Sequence, residues 1–149
     1  MEYCNHPPFS ILDDHEWLET CKFWAQHFKH PSYLTIDGKA LFKIHGFKLF
    51  QEQCGSDPAV MRSRLATLKE AARKYAQKDL IITGGIVSEN ISEELLQSLD
   101  LVDFYSVYMD LPQMPAQDTD YPYSELLAFS LSFAQKCADL KIPFMPYFP

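Results

Sequence analysis

The chain has 149 residues, a net charge of −7 and a pI near 5.1, with 47% hydrophobic and 22% charged residues. That length fits one domain with a real core, and the composition excludes a disordered chain. The acidic balance, with Lys and Arg scattered rather than striped, excludes a nucleic-acid surface, which needs clustered cations to displace counterions.

Met1–Ser10 carries neither a basic nor an apolar leader region, so no signal peptide is expected in the chain as it stands. No run is long enough to span a membrane. The first periodic segment predicts a helix over residues 14–29, with Trp17, Cys21, Trp24 and Phe28 on one face. Asp13 followed by Glu16 resembles a capping box, and His30-Pro31 ends the helix. Asp37-Gly38 between two alternating runs predicts a hairpin over residues 33–46. Its second arm, Leu41–His45, sets Phe42 and Ile44 on one side and Leu41, Lys43 and His45 on the other.

Asp57-Pro58 opens the next helix. Met61, Leu65, Leu68, Ala72 and Tyr75 form its apolar stripe, and Arg62, Arg64, Lys69, Arg73 and Lys74 its solvated remainder. Leu80–Thr83 reads as a strand covered on both faces. Gly84-Gly85 then reads either as a phosphate cradle or as a tight turn. Ser92 caps a short helix through Leu99, and Asp103–Tyr108 is a further strand. A loop rich in Pro, Gln and Asp covers 111–121. A helix over Tyr123–Leu140, with Phe133 and Cys137 on its apolar face, leads to a last strand over Pro143–Tyr147.

Strict alternation of strands and helices implies an α/β domain with parallel strands and right-handed crossovers. An open doubly wound sheet and a run of barrel units both satisfy it, but no GxGxxG or Walker loop supports nucleotide binding. The expected architecture is a single domain, residues 1–149, forming part of a (β/α) TIM-type barrel with about four parallel strands. A whole barrel has eight strands and typically about 250 residues. Unpaired strand edges would then favour an oligomer. The four cysteines form no CxxC pair, which points to reduced thiols and a cytoplasmic setting.

Several segments carry a family likeness. Tyr33–Gly46, His30-Pro31-Ser32-Tyr33, Asp103–Tyr108, Tyr121–Leu126 and Ile142–Pro146 resemble, in order, segments of the WbsX-like family. That family belongs with the glycoside hydrolase 99-like domains, relatives of endo-α-mannosidases. The resemblance covers roughly residues 14 to 149. It implies a barrel that acts on a glycan or oligosaccharide, or a protein associated with polysaccharide biosynthesis. The family's upstream first strand has no evident counterpart here. Its Gly-Trp-(Asp/Asn)-Pro-Arg-Pro and Asn-Glu-Trp segments would lie beyond Pro149, so the chain matches a middle portion of the barrel.

Barrel chemistry gathers at the C-terminal ends of strands. The candidate substrate-binding residues by that rule are His45, Tyr108, Asp110 and Tyr147. For His45 the expected partner is a substrate hydroxyl, a carboxylate or neighbouring backbone. Glycoside hydrolysis needs two carboxylates about 5–10 Å apart, and no pair stands out: Asp13-Asp14 and Glu93-Glu94 sit at helix starts, where the dipole favours them. The five histidines share no ligand spacing with an acid, so neither a metal nor another cofactor is expected. The alternative is a non-catalytic α/β binding or interaction domain.

Overall fold

The computed structural model describes residues 1–87, 91–106 and 122–145. A parallel sheet runs through β1 (Glu2–Tyr3), β3 (Lys39–Ile44), β4 (Leu80–Gly85), β5 (Phe104–Ser106) and β6 (Phe144–Met145), neighbouring in chain order. The short β2 (Thr35–Ile36) pairs antiparallel with β3. That hairpin is the one expected from Asp37-Gly38, whose φ values of 50° and 78° give the tight turn its left-handed residues. The parallel strands were anticipated, but β1 was not. A strand does precede the hairpin, and two residues are too few to show an alternating pattern.

Among the described residues, α1 (Asp14–Phe28), α2 (Phe47–Gln53), α3 (Pro58–Ala71), α4 (Glu93–Leu96) and α5 (Tyr123–Asp139) fill the connections. The caps fall where sequence chemistry puts them. The Asp13 carboxylate accepts from the Glu16 N–H at 2.9 Å, and the Asp57 carboxylate from the Ala59 N–H at 2.8 Å. α3 continues into a π-helical turn over Ala72–Ala76, closed by Gln77 at φ 54°. The Ser92 helix is shorter than expected. It stops at Leu96, and a separate 3-10 turn spans Leu99–Leu101.

Helices α1, α2 and α5 lie against one face of the sheet. Residues partnered in a parallel ladder share a face, which groups Tyr3, Phe42, Ile44, Ile82, Gly84, Tyr105 and Phe144. Helix α1 reaches this face through Trp17 on Tyr3 and Trp24 on Phe42, with ring centroids 5.7 and 5.0 Å apart. Helix α2 reaches it through Phe47 on Tyr105 at 5.2 Å, and α5 through Phe133 on Phe144 at 5.4 Å. Burying such rings stabilises the fold by roughly 1.5–3 kcal/mol each.

One basic residue departs from its expected place on the solvated face of α3. Arg64 is buried: its guanidinium donates to the carbonyls of Ile11 and Leu12 and to the Asp14 carboxylate. Its own carbonyl accepts from the Trp17 indole at 2.9 Å, and its guanidinium lies 5.7 Å from that ring. A fork of five donors can satisfy the loop carbonyls entering α1, which a helical wheel does not reveal.

Candidate functional site

The opposite sheet face carries the polar residues. Ladder partners place Glu2, Lys43, Thr83 and Phe104 in one row across four strands. Gly85, Ser106 and Met145 form the next row, nearer the C-terminal ends. His45 lies just beyond β3 at that same end.

Glu2 organises the cluster. Its Oε1 sits 2.8 Å from His45 Nδ1 and 3.3 Å from Lys43 Nζ. A carboxylate beside His45 was among the partners expected, and Glu2 supplies it. The His6 ring meets the His45 ring edge-on, with centroids 5.0 Å apart. The backbone beneath is held by Asn5, which is fully buried. Its amide donates to the Gly46 carbonyl at 2.8 Å and accepts from the Gly46 N–H at 2.9 Å. Gln53 Nε2 adds a bond to the Asn5 carbonyl at 2.6 Å. The ends of β1 and β3 are thus fixed to each other, and with them the positions of Glu2 and His45.

Gly84-Gly85 has a packing reason. A Cβ on Gly85 would stand 1.8 Å from the His45 carbonyl oxygen, and one on Gly84 would stand 2.9 Å from the Phe47 ring. Both glycines lie inside β4 rather than in the expected turn, and the pair lets β3 and α2 pack closely on the end of that strand.

Ser106 is the least expected member. It is 7% exposed, and its Oγ has no hydrogen-bond partner among the described residues. A buried hydroxyl without a partner costs about 1–3 kcal/mol, a cost that a hydrogen-bonding group placed against Ser106 would remove. Tyr105, next along the strand, is occupied: its hydroxyl donates to the Ser98 carbonyl at 3.0 Å, and burial pushes its pKa up. Burial also pushes Cys21 up to about 12 and Cys54 up to about 11, which leaves both as unreactive thiols at neutral pH.

Of the four candidates from sequence, only His45 lies among the described residues; Tyr108, Asp110 and Tyr147 lie outside them. The structure adds Glu2, His6 and Ser106. Glu2 and His6 were hidden because β1 becomes visible only through its pairing with β3. Ser106 stood inside a recognised strand, and only the missing bond partner distinguishes it. Among the described residues no group of His, Cys, Asp and Glu could hold a metal ion, and no helix is long and apolar enough to cross a membrane.

No protein-family model matches the chain, and neither a curated protein nor a solved structure matches it. The family resemblance therefore rests on the segments quoted from the sequence.

Proposed function

We propose that this chain is a carbohydrate-binding domain of the (β/α)-barrel type, with its site on the sheet face turned away from the helices. Three features support the fold reading. Among the described residues, strands follow one another in chain order without reversal, α1, α2 and α5 contact one face, and polar side chains gather toward the C-terminal ends on the other. A doubly wound sheet instead reverses its order and places helices on both faces, whereas barrel units wind in one direction around a site at the strand ends.

The unpartnered Ser106 hydroxyl carries the ligand reading. On the same sheet face, beyond β4, the Glu2 carboxylate lies beside Lys43 and His45, which suits a neutral polyhydroxy ligand able to donate and accept at once. The resemblance to WbsX-like and glycoside hydrolase 99-like proteins points to the same ligand class. Among the described residues the cluster contains one carboxylate, Glu2, whereas hydrolysis through an oxocarbenium-like transition state takes two. That supports binding of a glycan over its cleavage.

The test uses the full chain and a panel of neutral oligosaccharides that includes α-mannosides. Binding is read by titration calorimetry and by the His45 ring resonances. The expected result is weak saturable binding that shifts those resonances, falls about tenfold in Ser106→Val for the lost bond, and comes with no turnover of aryl α-mannosides. Silence across the whole panel, or equal affinity in Ser106→Val, would remove the carbohydrate reading. Turnover lost in Glu2→Gln would instead make the domain an enzyme.

A further inference from the structure

A neutral imidazole has one donor nitrogen and one acceptor nitrogen. Which is which depends on the partner that each one meets. For His45 the partner of Nδ1 is a carboxylate. The β1–β3 register sets Glu2 opposite Lys43, and His45 follows two residues on, along the same side of the chain. Glu2 Oε1 therefore lies 2.8 Å from His45 Nδ1, and Lys43 Nζ lies 3.3 Å from the same oxygen.

An ionised carboxylate accepts hydrogen bonds and never donates them. Its bond to Nδ1 requires the proton on Nδ1 and leaves a lone pair on Nε2, across the ring. The opposite tautomer would set two acceptors against each other at 2.8 Å. The ring has little freedom to avoid that clash. The His6 ring packs on it edge-on, with centroids 5.0 Å apart, and the Asn5 bonds hold the backbone of Gly46 next to it. The His45 side chain still keeps 28% of its surface exposed, so a ligand can reach it.

We propose that Glu2 is a positioning residue: it fixes His45 in the Nδ1–H form, and the ring then accepts at Nε2 from a hydroxyl of the bound ligand. The ligand group rests on the carbohydrate reading; the tautomer does not. The consequence is selectivity. An imidazole free to exchange tautomers can meet either a donor or an acceptor, whereas a locked one refuses an acceptor such as an ether oxygen. A site built to hydrogen-bond a hydroxyl discriminates against the analogue that lacks it, because its own polar group is left unpaired. A sugar whose hydroxyls are all methylated offers only acceptors, and this ring should turn it away.

Long-range proton–nitrogen NMR of the nitrogen-15-labelled full chain separates protonated from unprotonated ring nitrogens. Spectra are taken about two pH units above the ordinary imidazole value of about 6.5, and His45 is assigned by its loss in His45→Gln. The expected signature is a protonated Nδ1 and an unprotonated Nε2. Glu2→Met keeps the length of the side chain and removes the acceptor, so the Nε2–H form should appear. A parent ring protonated on Nε2, or on both nitrogens, overturns the proposal, and so does the same signature in Glu2→Met. Should that variant fail to fold, the parent spectrum still decides. Calorimetric titration with methyl α-mannoside and with its fully O-methylated derivative tests the ligand group. The parent should prefer the free sugar, and Glu2→Met should lose about tenfold of that preference. Steric rejection of the methyl groups would be the same in both proteins, so an equal preference overturns the hydroxyl partner. If neither sugar binds while the Nδ1–H signature is present, the carbohydrate reading fails and the hydroxyl partner falls with it, whereas the orientation of His45 by Glu2 is upheld.

Discussion

Helices α1 and α5 show the same kind of apolar periodicity, yet the protein buries them to different depths. Helix α1 encloses Trp17, Cys21, Trp24, Ala25 and Phe28. Helix α5 is longer, yet only Phe133 and Cys137 are buried, while Leu131 stays 52% exposed. The stripe on a helix says which side turns inward; its neighbours decide how far. Helix α1 lies against both α3 and the β1–β3 edge, with Trp17 touching Tyr3, Trp24 and Phe50. Helix α5 meets the sheet through Phe133 on Phe144.

This contrast is broken most directly by truncating one ring on each helix. Trp17→Ala should cost about 3–5 kcal/mol, since it opens a cavity in a packed aromatic cluster and removes the indole bond to Arg64. Phe133→Ala should cost less, about 1–3 kcal/mol, because the partly exposed surface around it can relax into the space. Urea denaturation of the two variants measures both. Equal losses would mean that α5 is as deeply supported as α1.

Arg64 sharpens the same point from the polar side. Arg64→Met keeps most of the volume but leaves the Ile11 and Leu12 carbonyls without their donor. The expected loss is about 2–4 kcal/mol. Arg64→Lys should recover little of it, as a single ammonium cannot reach two carbonyls and the Asp14 carboxylate together. Full recovery by lysine would show that charge rather than fork geometry holds the loop before α1.

These residues also mark how far the sequence could be read. Local chemistry was legible: the Asp13 and Asp57 caps, the Asp37-Gly38 turn and the Trp17–Phe28 stripe each depend on neighbours close in the chain. The order of parallel strands followed from alternation, because right-handed crossovers leave few arrangements. What stayed hidden depends on contacts distant in sequence. Strand β1 exists through residues about 40 positions away. Arg64 reads as a surface residue until the carbonyls before α1 are in view. In the polar cluster, the position of His45 at a strand end could be read from the sequence, whereas that of Glu2 could not, because nothing local marks Glu2–Tyr3 as a strand. Ser106 could not be singled out from pattern at all, since an unsatisfied hydroxyl is a property of the assembled interior.

The smallest difference between the two helices lies in their buried thiols. Both Cys21 in α1 and Cys137 in α5 are fully buried, and burial pushes Cys21 up to about 12 but Cys137 only to about 11. A thiol whose pKa is raised on folding adds stability while the unfolded chain also holds its proton. That contribution is lost once the pH passes the unfolded value near 9, because the unfolded state then releases the proton and the folded state does not. Each thiol should therefore lower stability by about 1.4 kcal/mol per pH unit within its window. Compared with the parent chain, Cys21→Ala and Cys137→Ala both lack one such loss, so the parent's advantage over each variant shrinks as the pH rises from 9. For Cys137→Ala the shrinkage should level off near pH 11; for Cys21→Ala it should continue to about pH 12. Urea midpoints at closely spaced alkaline pH values give the two curves, and thiolate absorbance of the folded protein gives the ionisations directly. If the curves coincide, the environments of the two thiols are alike and the greater depth of α1 does not extend to its polar groups. If Cys137 ionises last, α5 is the better-shielded helix and the contrast reverses.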